Sequence, residues 1–405
     1  MTVTFNARHG TLMNSAIQAS AHPSAADLSA LFDPSRIRSL KLKNRFVMPG
    51  MQRGWCVDGH PPRRLADYYA ARARAGVQLI ISECIAVDDP SASRTRKYGR
   101  LADDTAQEWG RCADAIHRAG GHFFTQLGHD GALLAAPDGD YFTGSPVLSP
   151  SGLMKPGTPV GNPASLADLD AVKAAFVRSA RIAKRIGADG VEIHACHGYL
   201  LDQFLWSGTN RRDDRYGGPD IADRVRFPAE VVHAVRNEVG ADFPISVRFS
   251  QWKLTDYEAQ VARSAAELAV LLEAFVRAGA DVFHVSTRRF GDAAWPDSPL
   301  SLAGWTRKLS GKPVIAVGGV GLTVDMVESF SGKETQGPAE INFPALARRF
   351  QVPEFDLIAV GRSNIADPEW VAKVCAGEWD LIRQFKLADL GDVAEEAREA
   401  SGKAS

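Results

Sequence analysis

The sequence predicts an α/β fold in which eight parallel strands close into a (β/α)8 TIM barrel with long βα-loop insertions. Helical patterns alternate with short apolar runs along the 405 residues, and these runs lack polar alternation, as expected for strands covered on both faces. Five of the runs also follow the same kind of small-residue turn, as in A-G-V-Q-L-I-I and A-G-A-D-V-F-H-V-S. Eight such units favour a barrel over an open sheet.

The eight predicted strands can be placed in chain order. The first is Arg45–Met48, and the last two are Pro313–Val317 and Asp356–Val360. The five strands between them each follow a glycine that suits the position just after a helix C-terminus. These glycines are Gly76, Gly120, Gly187, Gly240 and Gly279.

The clearest helix is predicted to begin after Ser165. Ser165 and Asp168 have the spacing of an N-terminal capping pair. Apolar residues then recur at three- and four-residue spacing, so one face of the helix is predicted to pack on the barrel. They are Leu169, Val172, Phe176, Ala180, Ala183 and Ile186.

Two segments carry little regular pattern, residues 130–163 and 331–353. We expect both to be long βα loops, which line the functional mouth of a barrel. The expected organisation is a loosely ordered extension over residues 1–27, a barrel over 28–380 and a helical tail over 381–405. A doubly wound open sheet is the alternative, but no G-x-G-x-x-G fingerprint follows an early strand.

Composition excludes several classes of protein. Lys and Arg number 47 against 48 Asp and Glu, without a basic block, so neither a nucleic acid nor a membrane is an expected partner. The five cysteines form no C-x-x-C pattern and no disulfide framework, which favours a cytoplasmic location. The longest apolar stretch, Val77–Val87, is too short and too polar to span a bilayer.

The likeliest site is the corner that follows the fourth predicted strand, where H-A-C-H-G-Y places His194, His197 and Tyr199. The histidines are metal ligands, packed core residues or paired donors to a substrate oxygen. The metal alternative lacks an H-E-x-x-H motif and a clear third ligand. Two imidazole N–H groups aimed at one oxygen would stabilise negative charge developing there. Tyr199 is either a proton donor or a packing residue.

Other strand ends carry polar residues and glycines. Gly318 and Gly319 follow the seventh strand and Gly361 and Arg362 the eighth, where barrels of this kind often hold a phosphate.

Gln126 and Arg248 end the third and fifth strands. A glutamine offers both a donor and an acceptor, which suits a heterocycle. A buried guanidinium needs an acceptor-rich partner, which is either a ligand or an internal carboxylate such as Glu83 or Glu192.

Together these residues resemble the Old Yellow Enzyme family of FMN-dependent ene-reductases. The likeness covers Leu31 to Ala376. It rests on L-F-D-P-S-R-I-R-S-L-K-L-K-N-R-F-V-M, F-F-T-Q-L-G-H-D-G, the H-A-C-H-G-Y-L-L-D-Q-F-L run with N-R-R-D-D-R-Y-G-G, V-R-F-S, and A-V-G-R-S-N-I-A-D-P.

The resemblance implies that the barrel holds FMN non-covalently and that NAD(P)H reduces it before a second substrate binds. It puts the FMN phosphate at the glycines and Arg362 named above, Gln126 on the pyrimidine edge and Arg248 near N1 and the C2 carbonyl. Pro49, Gly50, Met51, Gln52 and Cys84 would line the flavin.

For the second substrate, the resemblance implies an enone-type acceptor whose carbonyl oxygen is held by His194 and His197. Flavin N5 would deliver hydride to the β-carbon, and Tyr199 would protonate the α-carbon. Trp55 is expected beside this substrate. The alternatives are a flavin dehydrogenase or demethylase in the oxidative direction, and a flavin-free lyase or binding barrel. A homo-oligomer and a monomer both remain open.

The chain departs from the family pattern after the first strand. The family usually has Ala-Pro or Ser-Pro, an apolar residue, and then Thr or Cys touching the flavin C4 carbonyl. Here the sequence is Pro49-Gly50-Met51-Gln52, so Gln52 replaces the redox-tuning residue. Gly54 stands where one subgroup of the family has a substrate-facing tyrosine, and Trp55 could fill the space of that tyrosine. Cys84 stands where Gly or Ala is common in the family.

Overall fold

The computed structural model describes residues 25–93, 95–133, 147–338 and 340–391. Within them, eight parallel strands hydrogen-bond in chain order and close into a barrel, which confirms the predicted fold. The predicted N-terminal extension up to residue 24 and the predicted helical tail from residue 392 lie outside the described residues. The strands are Phe46–Met48 (β1), Leu79–Ala86 (β2), His122–Gly128 (β3), Gly190–His197 (β4), Ile245–Lys253 (β5), Val282–Ser286 (β6), Val314–Val317 (β7) and Leu357–Ala359 (β8).

Helices connect the strands. They are Arg63–Arg74 (α1), Ala106–Arg118 (α2), Leu166–Arg185 (α3), Leu200–Leu205 (α4), Ile221–Arg224 (α5), Arg226–Val239 (α6), Ala265–Ala278 (α7), Leu302–Ser310 (α8), Met326–Phe330 (α9), Phe343–Gln351 (α10), Arg362–Ala366 (α11) and Trp370–Ala376 (α12). Two-stranded hairpins pair Ser35–Ile37 with Leu40–Leu42, Leu153–Lys155 with Thr158–Pro159, and Ala293–Trp295 with Ser298–Ser301. Short 3-10 helices occupy Ala25–Phe32, Trp379–Leu381 and Leu387–Leu390. In the described part of the chain, no helix has the length and apolar character needed to cross a membrane.

The predicted helix boundaries are confirmed at both ends. The Ser165 hydroxyl accepts the Asp168 backbone N–H, and the Asp168 carboxylate accepts the Ser165 N–H, which forms a capping box at the start of α3. The five predicted glycines end α1, α2, α3, α6 and α7 with φ between +82° and +108°. Glycine adopts this left-handed backbone without the strain that a Cβ would cause.

The prediction of a structureless loop over residues 331–353 was wrong for its last third, which forms α10. Pro344 stands in the first turn of that helix, where no backbone N–H donor is needed. Phe343 and Leu346 are fully buried, so packing against the core holds the helix in place. The other predicted loop, residues 130–163, contains one short hairpin in its described part.

Two apolar cores lie on the two faces of the strands. On β2, Leu79 and Ile81 belong to the inner core, whereas Ile80 belongs to the core beneath the helices. Ile37 and Leu42 of the first hairpin extend the inner core. The polar residues of the barrel follow further along the strands, toward their C-terminal ends, where a TIM barrel places its site.

Candidate active site

The corner between β4 and α4 brings together the three predicted catalytic residues. His194 is 4 % exposed, and its ring centroid lies 4.6 Å from that of Tyr199 and 5.6 Å from that of His197. His197 has a left-handed φ of +63°, and the β4–β5 register shifts between Ala195 and His197. This irregularity turns a residue that regular alternation would point away from His194 back toward it.

The His197 imidazole has two further neighbours that the sequence did not single out as site residues. Its Nε2 atom lies 2.8 Å from the Ser286 hydroxyl at the end of β6. Its ring stacks on the indole of Trp252, with centroids 4.4 Å apart and an interplanar angle of 28°. The ring is therefore fixed in both position and orientation.

Burial sets the charge of this corner. It lowers the pKa of His194 to about 3 and the pKa of His197 well below its usual value, and the positive charge of Arg248 acts in the same direction. Burial also raises the pKa of the Tyr199 phenol well above its usual value. At neutral pH each imidazole is therefore neutral with one N–H, and the phenol keeps its proton.

A buried ion pair anchors the backbone of the corner. Lys253 Nζ lies 2.7 Å from Asp202 Oδ1, and both side chains are fully buried. The other oxygen of Asp202 accepts the Gly198 N–H, while Gln203 Nε2 donates to the Gly198 carbonyl oxygen at 2.7 Å. Both backbone groups between His197 and Tyr199 are thus held by side chains of α4.

Arg248 extends from β5 toward the end of β1. Its Nη1 donates to the Gly50 carbonyl oxygen at 3.1 Å, and its buried Nε has no partner among the described residues. Among the described residues, Arg248 forms no salt bridge with Glu83 or Glu192, which was the alternative interpretation. Glu83 accepts the Arg53 N–H instead, and Glu192 is bound by other side chains. Arg248 therefore keeps a donor for a ligand.

Gln126 belongs to a buried polar network inside the barrel. Its Nε2 donates to Glu192 at 2.7 Å, and the Ser246 hydroxyl and His284 Nδ1 bind the other Glu192 oxygen at 2.8 and 2.9 Å. Burial raises the pKa of Glu192, but His284 and Arg248 outweigh it and lower that pKa to about 2. Burial lowers the pKa of His284, although the Glu192 carboxylate opposes this shift. Because the Gln126 nitrogen is bound to Glu192, its oxygen remains as an acceptor.

The segment after β1 packs closely on β2 and β3. A Cβ at Gly50 would lie 2.6 Å from the Ser82 carbonyl oxygen and 2.7 Å from Gln126, so only glycine fits there. Gln52 Nε2 donates to the Cys84 carbonyl oxygen at 2.9 Å, and its buried Oε1 has no partner in the described residues. The Cys84 thiol fills the space where a Cβ at Gly128 would stand.

The predicted phosphate residues lie at the ends of β7 and β8. Gly318 and Gly319 have φ of +156° and +71°, and a Cβ at Gly361 would lie 3.2 Å from Met51 Sδ and 3.6 Å from Pro49. The end of β8 therefore meets the segment after β1.

Arg362 begins α11 beside these glycines, and its guanidinium is bound to the protein. It donates to the carbonyl oxygens of Val324 and Asp325 at 3.0 and 2.8 Å, next to the start of α9. Burial lowers its pKa to about 10, which leaves it charged at neutral pH.

Trp55 lies away from the histidine corner in its described contacts. Its ring packs edge-on against Tyr68 of α1 at 5.4 Å, and the guanidinium groups of Arg53 and Arg64 lie 4.7 and 4.5 Å from its ring centroid. The expected contact between Trp55 and a substrate stays a prediction.

The residues present fit FMN. A planar isoalloxazine carries alternating donors and acceptors, and the site offers the unpaired Arg248 Nε, the Gln126 oxygen and the unpaired Gln52 Oε1. The backbone at Gly318 and Gly319, with its positive φ angles, suits a phosphate.

Comparisons with known proteins find similar sequences over most of the chain. Residues 30–380 match the profile of the NADH:flavin oxidoreductase / NADH oxidase family. An NADH oxidase of Thermoanaerobacter brockii is 33% identical over 374 residues, which are 89% of this chain and 53% of that protein. A cinnamate reductase of Clostridium sporogenes is 30% identical over 387 residues, which are 87% of this chain and 54% of that protein. The chain thus spans about half the length of these curated relatives.

Solved structures also resemble this chain over most of its length. Morphinone reductase in complex with tetrahydroNAD superimposes with a TM-score of 0.70 at 26% identity, over 90% of this chain and 96% of the other.

Proposed function

Since the chain belongs to the NADH:flavin oxidoreductase / NADH oxidase family, the group of Old Yellow Enzyme, we propose that it is an FMN-dependent ene-reductase. FMN is the cofactor of this family, and a nicotinamide nucleotide is the co-substrate. The proposed reaction reduces the C=C bond of an α,β-unsaturated carbonyl compound. One hydride from NAD(P)H and one proton are added, and NAD(P)+ is released. Residues 28–380 are the proposed FMN-binding domain.

The observation that carries the proposal is the convergence of three neutral donors. His194, His197 and Tyr199 share one corner of the barrel mouth, and burial keeps both imidazoles uncharged at neutral pH. Neutral N–H groups can bind a carbonyl oxygen and stabilise negative charge that develops on it. Cationic imidazoles would instead bind an anion in the ground state.

The flavin-facing residues have a separate task. When bound, FMN supplies the hydride chemistry of the reaction. Arg248 places a positive charge and a free N–H at the mouth, which favours a ring that gains negative charge. Gln126, oriented by Glu192, presents an acceptor to the same ring. Gln52 presents its unpaired oxygen where the family usually has a hydroxyl or thiol donor.

Tyr199 is the proposed acid. Its pKa is raised by burial, so the phenol holds its proton until a basic carbon forms beside it. The His194 and Tyr199 rings form a T-shaped pair, which holds the two groups next to each other. One substrate molecule can therefore contact both the histidine pair that binds its oxygen and the phenol that donates the proton.

The name of one relative, the cinnamate reductase, supports the reduction of an α,β-unsaturated compound. The tetrahydroNAD complex of morphinone reductase supports a nicotinamide nucleotide as the hydride source.

Binding of a phenol to the oxidised enzyme tests the proposed oxygen site. A phenolate oxygen mimics the polarised carbonyl oxygen, and its binding changes the visible absorption of the flavin. We expect His194→Ala and His197→Ala each to weaken phenol affinity by about tenfold or more, the loss of roughly one charge-assisted hydrogen bond. His233→Ala, at an exposed position on α6, is the matched control. Unchanged affinity in both corner variants would show that the pair is structural.

A further inference from the structure

The histidine corner contains a third potential metal ligand that the proposed reaction does not use. Cys196 lies two residues after His194 on β4, so the two side chains point to the same side of the strand. The left-handed backbone at His197 turns its ring to that side as well. The three residues thereby offer ligand atoms that all lie within 4.8 Å of one another.

We propose that His194, Cys196 and His197 form a binding site for a thiophilic cation such as Zn²⁺ or Cd²⁺ at the acceptor side of the barrel mouth. The site has three protein ligands, one sulfur and two imidazole nitrogens. This ligand set matches the three protein ligands of open, four-coordinate zinc sites.

The distance between Cys196 Sγ and His197 Nδ1 agrees with tetrahedral coordination of a zinc ion. With a Zn–S bond of about 2.3 Å and Zn–N bonds of about 2.0 to 2.1 Å, the sulfur and each nitrogen stand about 3.6 Å apart in a tetrahedron. Cys196 Sγ lies 3.5 Å from His197 Nδ1, and 3.7 and 3.8 Å from the two ring nitrogens of His194. The edge between Cys196 and His197 is therefore already at the required length, whereas the His194 ring must rotate to aim one of its two nitrogens at the ion.

The Ser286 hydroxyl orients the His197 ring within this site. Ligating histidines usually donate their other ring N–H to an oxygen, which fixes the tautomer and the ring orientation. His197 Nε2 lies 2.8 Å from the Ser286 hydroxyl, so Nε2–H can donate there while the bare Nδ1 faces Cys196. Stacking on Trp252 holds the ring in that plane.

The same Nδ1 atom would serve a substrate oxygen only in the other tautomer. A carbonyl oxygen requires Nδ1–H, and Ser286 then donates to Nε2. The metal ion and an oxygen acceptor thus require opposite tautomers of one ring and occupy one space. Under the proposed function, an ion bound here would exclude the acceptor without displacing the groups that face FMN.

Two nearby positive charges oppose the ion, that of Arg248 and that of Lys253, which is paired with Asp202. Arg248 lies beside His194 in the β4–β5 register. The thiolate of Cys196 supplies the compensating charge, which makes the thiol the ligand that decides affinity. Hard cations such as Mg²⁺, which bind oxygen ligands, are therefore not expected to bind.

Equilibrium dialysis of the untagged FMN holoenzyme against Zn²⁺, with elemental analysis of the protein, tests the site directly. The background is Cys375→Ala, which removes the exposed cysteine. We expect one ion per chain, and an affinity lower by more than about tenfold in Cys375→Ala/Cys196→Ala, since loss of even an outer-shell group commonly costs that much. Cys375→Ala/Cys112→Ala, which loses a buried cysteine outside the corner, is the matched control. Equal binding with and without Cys196, or no bound ion, overturns the proposal.

A second measurement needs no variant. The ¹¹³Cd NMR shift of the cadmium-loaded holoenzyme reports the ligand atoms, and we expect the shift of a site with one sulfur and two nitrogens. A shift typical of oxygen ligands overturns the proposal. Inhibition is measured separately. If an ion binds but the rate of reoxidation by an enone is unchanged, the result supports the metal site and counts against the oxygen-binding role of the histidine pair.

Discussion

The Nε2 atom of His197 and the hydroxyl oxygen of Ser286 lie 2.8 Å apart, which ties the end of β4 to the end of β6. This contact orients the imidazole proposed to bind the acceptor oxygen. We expect Ser286→Ala to weaken phenol binding to the oxidised enzyme by up to about tenfold, the value of one hydrogen bond. FMN content is expected to stay unchanged. Ser310→Ala, at the end of α8, is the control, and equal phenol affinity in both variants would remove Ser286 from this role.

Glu192 is expected to influence the flavin through charge. Its carboxylate is ionised at neutral pH and hydrogen-bonds to Gln126 in the buried network. Because Glu192→Gln removes a negative charge near a ring that gains negative charge, the flavin midpoint potential should rise. A change of about 1.4 kcal/mol corresponds to about 30 mV for a two-electron couple. An anaerobic dye titration measures the potential, and an unchanged or lowered value contradicts the prediction.

The ion pair of Asp202 and Lys253 is expected to matter for stability. Removing one partner of a fully buried pair leaves an uncompensated charge, so Lys253→Met should lower the free energy of unfolding by about 3 to 5 kcal/mol. Arg277→Met, which breaks the exposed pair with Glu273, should cost less than about 1 kcal/mol. Urea unfolding at saturating FMN compares the two variants. Similar losses of unfolding free energy in both variants would show that the buried pair stabilises the fold no more than the exposed pair does.

Glu83 should make stability depend on pH. Burial raises its pKa to about 7 from an ordinary 4.5, although the Arg53 N–H and the Cys56 thiol bind it. The folded protein thus keeps a proton that the unfolded chain releases above pH 4.5, and stability falls as pH rises from 4.5 through 7. Tyr69 and Cys112 also face this carboxyl group, and neither is expected to ionise there because burial raises the pKa of both.

The variant that isolates this effect is Glu83→Gln. Relative to the wild type, it should gain about 3 kcal/mol of unfolding free energy between pH 5 and pH 8, at about 1.4 kcal/mol for each pKa unit. Urea unfolding of both proteins at the two pH values gives the difference. If the unfolding free energies of the two proteins changed with pH in parallel, the titrating group would not be Glu83.

Local spacing explains why much of the site could be predicted. His194, His197 and Tyr199 lie within six residues of one another, and Gln126 and Arg248 lie in apolar runs that had to be strands. Repetition of one turn pattern before five strands was enough to indicate the barrel. These features depend on short stretches of chain, where composition and periodicity are informative.

Contacts that depend on barrel closure could not be predicted. His197 and Ser286 are 89 residues apart, and Asp202 and Lys253 are 51 residues apart. The position of Cys196 beside both imidazoles depends on the left-handed backbone at His197, which no local pattern indicates. The helix α10 was missed because its preceding segment is rich in polar residues and glycine, while its own stability comes from tertiary packing of Phe343 and Leu346.

The two half-reactions, followed anaerobically by flavin absorption, test the proposed function most directly. NADH or NADPH should bleach the bound flavin, and 2-cyclohexenone should restore its absorption. In Tyr199→Phe, bleaching should proceed at a nearly unchanged rate while restoration slows by about 10²-fold or more, the contribution typical of a general acid. The proposed function is contradicted if the enone fails to reoxidise the wild-type enzyme, and the proposed role of Tyr199 is contradicted if the variant loses both half-reactions equally.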